Sequence, residues 1–409
     1  MISTRFLAIT FMVTTLAYGQ TGLELYGFGM PQPEGDAISS ATGGITVLGS
    51  DANRHSFGAT ASWYKARGTQ LSAVLGSQTT TLGDGEQLRR TRLYEVQFLA
   101  HLNTRSAWGM FIKPATRMNS FASFSDSIAY STSDILHYDA TGRARGGISI
   151  FAVGYSQKLS DKVSLGVSAQ FLFGIIARSD TIAFTNLESR TDVISRLTAQ
   201  QRTEFAGRII ALNMIYEGIP YTDGEIGLSL ELPLAFDLHQ VQKNPFLPKL
   251  AGVRHNKVGF PRTIKLGYGH PLKADQRLIT EISWSNLPGD NKNDILFKQY
   301  IDHKWTIRGG WSRFRREREE SIFGRYDYRV GFYYTKYYLS GLNKDDLGER
   351  SLSLGMGYLF NRSGQRLDIA FIAGDRSGLP QLESEKFYRI TLGLSTAEVW
   401  FARPKKKWD

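Results

Sequence analysis

Val163-Ser164-Leu165-Gly166-Val167-Ser168-Ala169-Gln170-Phe171-Leu172-Phe173-Gly174-Ile175 alternates between two kinds of residue along its whole length. Val163, Leu165, Val167, Ala169, Phe171, Phe173 and Ile175 share one parity. Ser164, Gly166, Ser168, Gln170, Leu172 and Gly174 share the other. A repeat of two is the side-chain period of a strand, and a helix does not produce it. About fourteen such segments, rich in Gly and aromatic residues, run from near Gly68 to Phe401. The expected fold is all-β: a transmembrane antiparallel β-barrel of about 14 strands.

The predicted strands are 68–79, 90–102, 105–116, 143–157, 162–178, 203–217, 224–236, 258–270, 276–287, 303–315, 325–338, 348–360, 366–375 and 386–401. Each reaches the roughly nine to eleven residues that a tilted strand needs to cross hydrocarbon. Tight connections such as Asn103-Thr104 and Ser160-Asp161 alternate with longer polar ones at 118–142, 179–202 and 237–257. Outer-membrane barrels place short turns in the periplasm and long loops outside. In lipid every backbone N–H and C=O must be paired within the protein, so strands can cross only as a closed sheet. Outward parity is apolar at Ile226, Leu228, Leu230 and Leu232 and at Leu352, Leu354 and Met356, whereas Gly227, Ser229, Ser351, Ser353 and Gly355 suit a lumen. Aromatics near strand ends (Tyr326, Tyr328, Tyr333, Tyr334, Tyr337, Tyr338, Trp284, Trp305, Trp400) are expected to form interfacial girdles.

The first residues read as a signal for export. Arg5 supplies positive charge, Phe6 to Leu16 an apolar stretch too short to span, and Ala17-Tyr18-Gly19 small residues for cleavage, so 1–19 is the expected signal peptide. The domain plan is then a plug segment at 20–67, a barrel at 68–401 and a basic tail at 402–409, with both termini periplasmic in the outer membrane of a Gram-negative bacterium. Absence of cysteine removes disulfide scaffolds and thiolate chemistry. The net charge of +11 is dispersed through strands and turns and comes with no nucleic-acid-binding signature. Residues 20–67 differ from the rest. Gly22, Gly27, Gly29, Pro31, Pro33, Gly35, Gly43 and Gly44 interrupt any long strand, with a short helix expected within Phe57 to Lys65. So small a segment cannot fold alone, and the barrel lumen is its natural shelter.

A plug of this size followed by about fourteen strands resembles the FadL-type outer-membrane family, transporters of long-chain fatty acids and other hydrophobic compounds. The stretch Gly35-Asp36-Ala37-Ile38-Ser39-Ser40-Ala41-Thr42-Gly43-Gly44-Ile45-Thr46-Val47 is similar to the family's N-terminal glycine segment. Tyr328-Arg329-Val330-Gly331-Phe332-Tyr333-Tyr334 and Phe387-Tyr388-Arg389-Ile390-Thr391-Leu392-Gly393-Leu394-Ser395 resemble a FadL-like branch related to the PorV-like barrels of type IX secretion. The family's Asn-Pro-Ala motif is missing, and Asn53-Arg54-His55 is the nearest match. The resemblance implies passive uptake of hydrophobic small molecules through a plugged, gated barrel. Its alternatives are an interaction or shuttle barrel holding an exported protein, and a porin for polar solutes, for which Lys265, Glu281, Arg329 and Asp368 have lumen parity.

No enzymatic constellation stands out: seven dispersed histidines lack metal-ligand spacing, and neither a Gly-x-Ser-x-Gly elbow nor a P-loop occurs. No catalytic residue, metal or cofactor is expected, and the partners are outer-membrane lipid, lipopolysaccharide and a hydrophobic ligand taken up by a monomeric barrel. For capture, the apolar residues of the two longest loops are the candidates: Phe121, Phe124, Ile128, Ile135, Leu136, Ile182, Phe184 and Leu187. Apolar loop residues either meet a ligand or pack on one another to cap the barrel. Proline cannot donate to a ladder, so Pro114 marks either a weak seam in the wall or merely the outer end of its strand. Pro233 and Pro261 carry the same two readings. The resemblance associates a break in the third strand with a lateral opening, which makes Lys113 and Pro114, with Asn53 of the plug facing them, the candidate gate.

Overall fold

The computed structural model describes residues 28–32, 35–48, 58–66, 68–82, 87–129, 135–184, 196–243, 252–257, 259–287, 301–315, 322–339, 347–360, 365–378 and 384–398. The expected signal peptide, Asn53, Leu187, Trp400, Phe401 and the basic tail lie outside the described residues. The strands are β1 (Met30–Pro31), β2 (Thr69–Thr81), β3 (Gln87–Asn103), β4 (Ser106–Ala129), β5 (Ile135–Lys158), β6 (Val163–Phe184), β7 (Arg196–Glu217), β8 (Glu225–Lys243) and β9 (Gly252–Lys257). They continue with β10 (Arg262–Lys273), β11 (Gln276–Asn286), β12 (Ile301–Arg313), β13 (Tyr326–Leu339), β14 (Gly348–Leu359), β15 (Arg366–Ser377) and β16 (Glu385–Glu398). A five-residue helix α1 (Ala37–Ala41) and a 3-10 helix at Thr60–Lys65 belong to the N-terminal segment.

Strands β2–β8 and β10–β16 form an antiparallel meander, and β16 returns to β2 from Lys386↔Thr81 to Glu398↔Thr69, closing a barrel of 14 strands. The remaining two are additions: β1 pairs with β4, and β9 lies beside the upper part of β8. The opening stretch lies in β6 as its parity requires. Leu165, Val167, Phe171, Phe173 and Ile175 are exposed, and Ser164, Gly166, Ser168 and Gln170 are buried. The exposed apolar surface continues around the wall through Leu212, Leu266, Ile282, Leu352 and Leu394. In β6 it extends from Leu165 to Ile175, about the length of one crossing of the hydrocarbon.

The long polar loops expected at 118–142 and 179–202 are mostly strand. Strands β4 and β5 have 24 residues each and β6 and β7 22, against 12 in β10 and 11 in β11. Strands β4–β9 therefore stand about ten residues above the apolar band as a tall sheet on one side. Hydrocarbon no longer selects one face up there, so the period-two contrast fades although the backbone pairing persists. The tall sheet departs from the wall along a line of irregularities. Strand β4 bulges between Pro114 and Thr116, and β7 and β8 shift register between Arg208 and Ile209, opposite Pro233. Between them Gly146 and Gly147 hold φ of +130° and +156°. A Cβ on Gly147 would sit 2.3 Å from the Thr116 carbonyl oxygen, so only glycine fits.

The N-terminal segment rests on inward-facing wall residues. The Gly43 N–H donates to Ser353 Oγ (3.1 Å), which donates in turn to the Ala41 carbonyl (3.0 Å). On the other side the Ala61 N–H donates to Asn213 Oδ1 (2.8 Å), and Trp63 is fully buried against β4 and β5 near Gly109 and Gly154. Gly331 shows why inward parity is so rich in glycine: a Cβ there would lie 2.2 Å from the Gly43 nitrogen.

Candidate functional site

Ladder pairing between β3 and β4 runs from Asn103↔Ser106 to Val96↔Ile112 and stops. Above that point β3 still pairs with β2 as far as Gln87, and β4 with β5 as far as Ala129. The wall therefore has a seam between Gln87–Glu95 and the part of β4 beyond Ile112. Pro114 lies just above the last pair, in the middle of β4 rather than at its outer end, so the outer-end reading is corrected. Of the other two prolines, Pro233 sits at the β7–β8 register shift and Pro261 directly precedes β10.

The N-terminal segment occupies the seam. Strand β1 pairs Met30 with Arg117 and Pro31 with Thr116, and the Gln32 N–H donates to the Ala115 carbonyl (2.9 Å). From the other lip, the Arg92 guanidinium donates to the Gln32 side-chain carbonyl. Gly29 has φ of +88°, and a Cβ on it would lie 2.3 Å from the Arg117 carbonyl oxygen. The same residues give β4 the backbone partner that β3 withholds.

Behind the seam lies a cavity of about 160 Å³, walled by Phe28, Pro31, Lys113, Pro114, Ile150, Ile209, Phe260, Pro261, Leu287 and Ile301. Its polar lining includes Gln170, Glu231, Lys265, Asp302, His303 and Lys304, and Lys265 Nζ lies 3.4 Å from Glu231. Above it Phe28, Phe205, Phe236 and Phe260 form an aromatic cluster with ring centres 5.1–5.9 Å apart. The cluster belongs to a buried apolar group that includes Met118, Ile148, Leu172, Ile176 and Leu238 on β4–β8.

The opposite side of the lumen is charged. Arg329 donates to Asp368 (3.0 Å) and Asp327 (3.2 Å), and Arg366 reaches the same two carboxylates. Arg376, fully buried, bridges Glu349 and Glu385, and Tyr333 donates to Glu349. Tyr333 thus points inward, as does buried Tyr337, and neither belongs to a girdle. Isolated charges at this depth would be costly, and mutual pairing offsets that cost. Glu281 has a different role: its carboxylate accepts from the Thr46 N–H (2.7 Å), the Val47 N–H (2.9 Å) and Arg308 (2.5 Å). The charges of lumen parity therefore pair with one another or hold the N-terminal segment, which is not the arrangement of an open polar channel.

Of the capture residues, Phe121 faces outward from the tall sheet, whereas Phe124, Ile182 and Phe184 are of opposite parity. Tyr138 joins Phe124 and Phe184, with ring centres 6.1 and 6.3 Å away. Ile128 and Ile135 lie in the paired backbone of β4 and β5, as does Leu136; their side chains are outside the description. Leu187 and Asn53 also fall outside it. Lys113 and Pro114 are brought together at the seam with Gln32 and Arg92, which the sequence did not single out. A polar Gln-Pro pair in a glycine-rich stretch carries no periodic signal.

A closed 14-stranded antiparallel barrel whose third wall strand loses its partner partway up is the fold of an outer-membrane β-barrel. The BamG family model matches residues 1–408, and the chain belongs to that family. Among solved structures it is similar to a FadL homologue of Pseudomonas aeruginosa, with 12% identity, TM-score 0.61, and coverage of 90% of this chain and 99% of that one. It is also similar to CymD, a monoaromatic hydrocarbon channel (11% identity, TM-score 0.55, coverage 91% and 99%). A third is the toluene transporter TbuX of Ralstonia pickettii (11% identity, TM-score 0.54, coverage 89% and 98%). At such identities the likeness establishes the fold. No curated protein matches the chain.

Proposed function

We propose that this barrel takes up hydrophobic small molecules passively, with the long-loop rim outside and both termini in the periplasm. The N-terminal segment is the plug, and its Gly29–Gln32 stretch is the gate. A ligand descends the apolar face of the tall sheet, past Tyr138, Ile176 and Met118, to the phenylalanine cluster and the cavity beneath it. It leaves sideways into the bilayer when β1 withdraws from the seam. The observation that carries this reading is the seam itself, a wall whose ladder ends at Ile112 and which β1 and the Arg92–Gln32 contact bridge. A bore filled by the chain's own segment argues against a porin. Hydrocarbon channels of the same fold, such as CymD, agree with a hydrophobic cargo.

The chain has no cysteine, so a single engineered pair is unambiguous. Met30→Cys with Arg117→Cys joins residues that face each other in register. Oxidation should stop uptake of a hydrophobic tracer into proteoliposomes by more than about tenfold, and reductant should restore it. Uptake that continues unchanged in the oxidised protein would remove the gate from the mechanism.

A further inference from the structure

We infer that the outer face of the tall sheet carries a binding site for the phosphate groups of an anionic glycolipid of the outer leaflet. The site is formed by Arg143, Arg145 and Arg202. The inference rests on the orientation proposed above.

The register places the three arginines together. Arg145 of β5 is opposite Ala177 of β6, and Ala177 is opposite Arg202 of β7. Arg145 and Arg202 are thus two strands apart, about 10 Å. Between them stands a methyl group that leaves room for a ligand. Arg143 lies two residues along β5 from Arg145, opposite Ser179. All three side chains are exposed. Arg202 pairs with Glu204 (2.9 Å) in a solvent-accessible contact, and Glu204 also lies 3.6 Å from His239. Among the described residues neither Arg143 nor Arg145 has a carboxylate partner.

Position relative to the bilayer selects the ligand. Ala177 and Ile175 are successive outward residues of β6, and Ile175 ends the exposed apolar run that includes Phe171 and Phe173. The cluster therefore lies one outward row above the hydrocarbon, at the level of headgroups. A phosphorylated headgroup there meets guanidiniums that can bind its oxygens in bidentate fashion. Its acyl chains lie over the phenylalanine surface below. A soluble polyanion would gain the first contact without the second.

The test uses the full-length barrel in detergent micelles, titrated with lipid A bearing two phosphates, with dephosphorylated lipid A, and with inorganic phosphate. Doubly phosphorylated lipid A should bind about fivefold more weakly for each arginine removed, and roughly a hundredfold more weakly to R143Q/R145Q/R202Q. Dephosphorylated lipid should bind the native barrel no better than that variant binds the phosphorylated form. Ala177→Asp, which places a carboxylate among the guanidiniums, should give the same loss; heat-modifiable gel mobility checks that each variant is folded. Equal affinity of native and variant barrels, or indifference to lipid phosphorylation, would overturn the site. Inorganic phosphate that binds alone as tightly as the lipid would overturn the lipid as ligand. Orientation is tested separately by Ser125→Cys on the tall sheet: labelling of intact cells by an impermeant maleimide supports it. Failure of that labelling would refute the orientation without touching binding in micelles.

Discussion

The two sides of the lumen are held together by different forces. Toward β4–β8 the large buried inward side chains include Met118, Ile148, Leu172, Ile176, Phe205, Ile209, Phe236 and Leu238, with uncharged polar residues such as Gln170, Thr203, Asn213 and Gln240 among them. The strands there are long, and their ladders break at Pro114 and near Ile209. Toward β13–β16 they include Asp327, Arg329, Glu349, Arg366, Asp368, Arg376 and Glu385, and those ladders run without a register shift. Apolar contact is non-directional, so packed side chains can re-form after a small displacement. Charge-assisted hydrogen bonds have fixed geometry and lose most of their energy when displaced. On the proposed route, this contrast bears on which end of the N-terminal segment would withdraw. Hydrogen bonds to Ser353, Glu281 and Asn213 hold the segment at Gly43, Thr46, Val47 and Ala61, whereas Gly29–Gln32 edges the seam at β4, so the proposed opening would need release of that last contact alone.

The charged half depends most on Arg376. Arg376→Met leaves the buried Glu349 and Glu385 carboxylates without their shared cation, and should cost about 3–5 kcal/mol. The midpoint of urea unfolding in lipid vesicles measures it. Phe236→Ala, in the opposite half, should cost about 3 kcal/mol, the low end for truncating a buried ring, because its cluster borders an existing cavity. The two variants should part in function. Phe236→Ala enlarges the route and speeds tracer uptake, whereas Arg376→Met brings no gain at any surviving fraction of folded protein. A faster Arg376→Met barrel would mean that the charged half is part of the path.

Glu281→Gln sharpens the distinction between anchor and gate. The amide keeps one acceptor for the Thr46 and Val47 N–H groups but leaves Arg308 without its carboxylate, a loss of about 1–3 kcal/mol. Planar-bilayer recordings should then show intermittent ion current that the native barrel lacks, because the segment loosens at its fixed end. A silent variant with normal hydrogen exchange at Thr46 and Val47 would show that the anchor lies elsewhere.

The fold was legible because lipid enforces alternation on every strand within the apolar band, and predicted and observed strands agree there to a few residues. Above the band that constraint is absent. Asn119, Phe121, Ser123 and Ser125 read as loop, yet they pair with β5 residue by residue. Glu281 was visible as a charge of lumen parity, but its partners are the backbone N–H groups of residues some 235 positions away, which no local pattern encodes. The seam was half legible. Pro114 pointed to the β4 side, while Met30 and Pro31 form too short a strand to show a period. The ion pairs of β13–β16 were seen only as scattered lumen charges, since their pairing depends on a register that sequence alone does not supply.

The smallest effect concerns the anchor's dependence on pH. Asp36 caps α1, accepting from the Ser39 N–H at 2.8 Å, inside the charged half. Burial above all, and Asp368 in addition, push its carboxyl above the usual carboxylate range despite the hydrogen bond from Ser39. A group whose value is raised by docking favours the docked state most when both states are protonated, below the free value of about 3.9. That contribution is lost as pH rises through the higher docked value, so α1 should hold most firmly in acid and loosen towards neutrality. Asp36→Asn keeps a good helix cap and removes the titration. Hydrogen exchange at Ser39, Ser40 and Ala41, corrected for intrinsic rates, should therefore lose its pH slope in the variant and show greater protection at pH 7. The same slope in both proteins would assign it to another group and leave the charged half an anchor indifferent to pH.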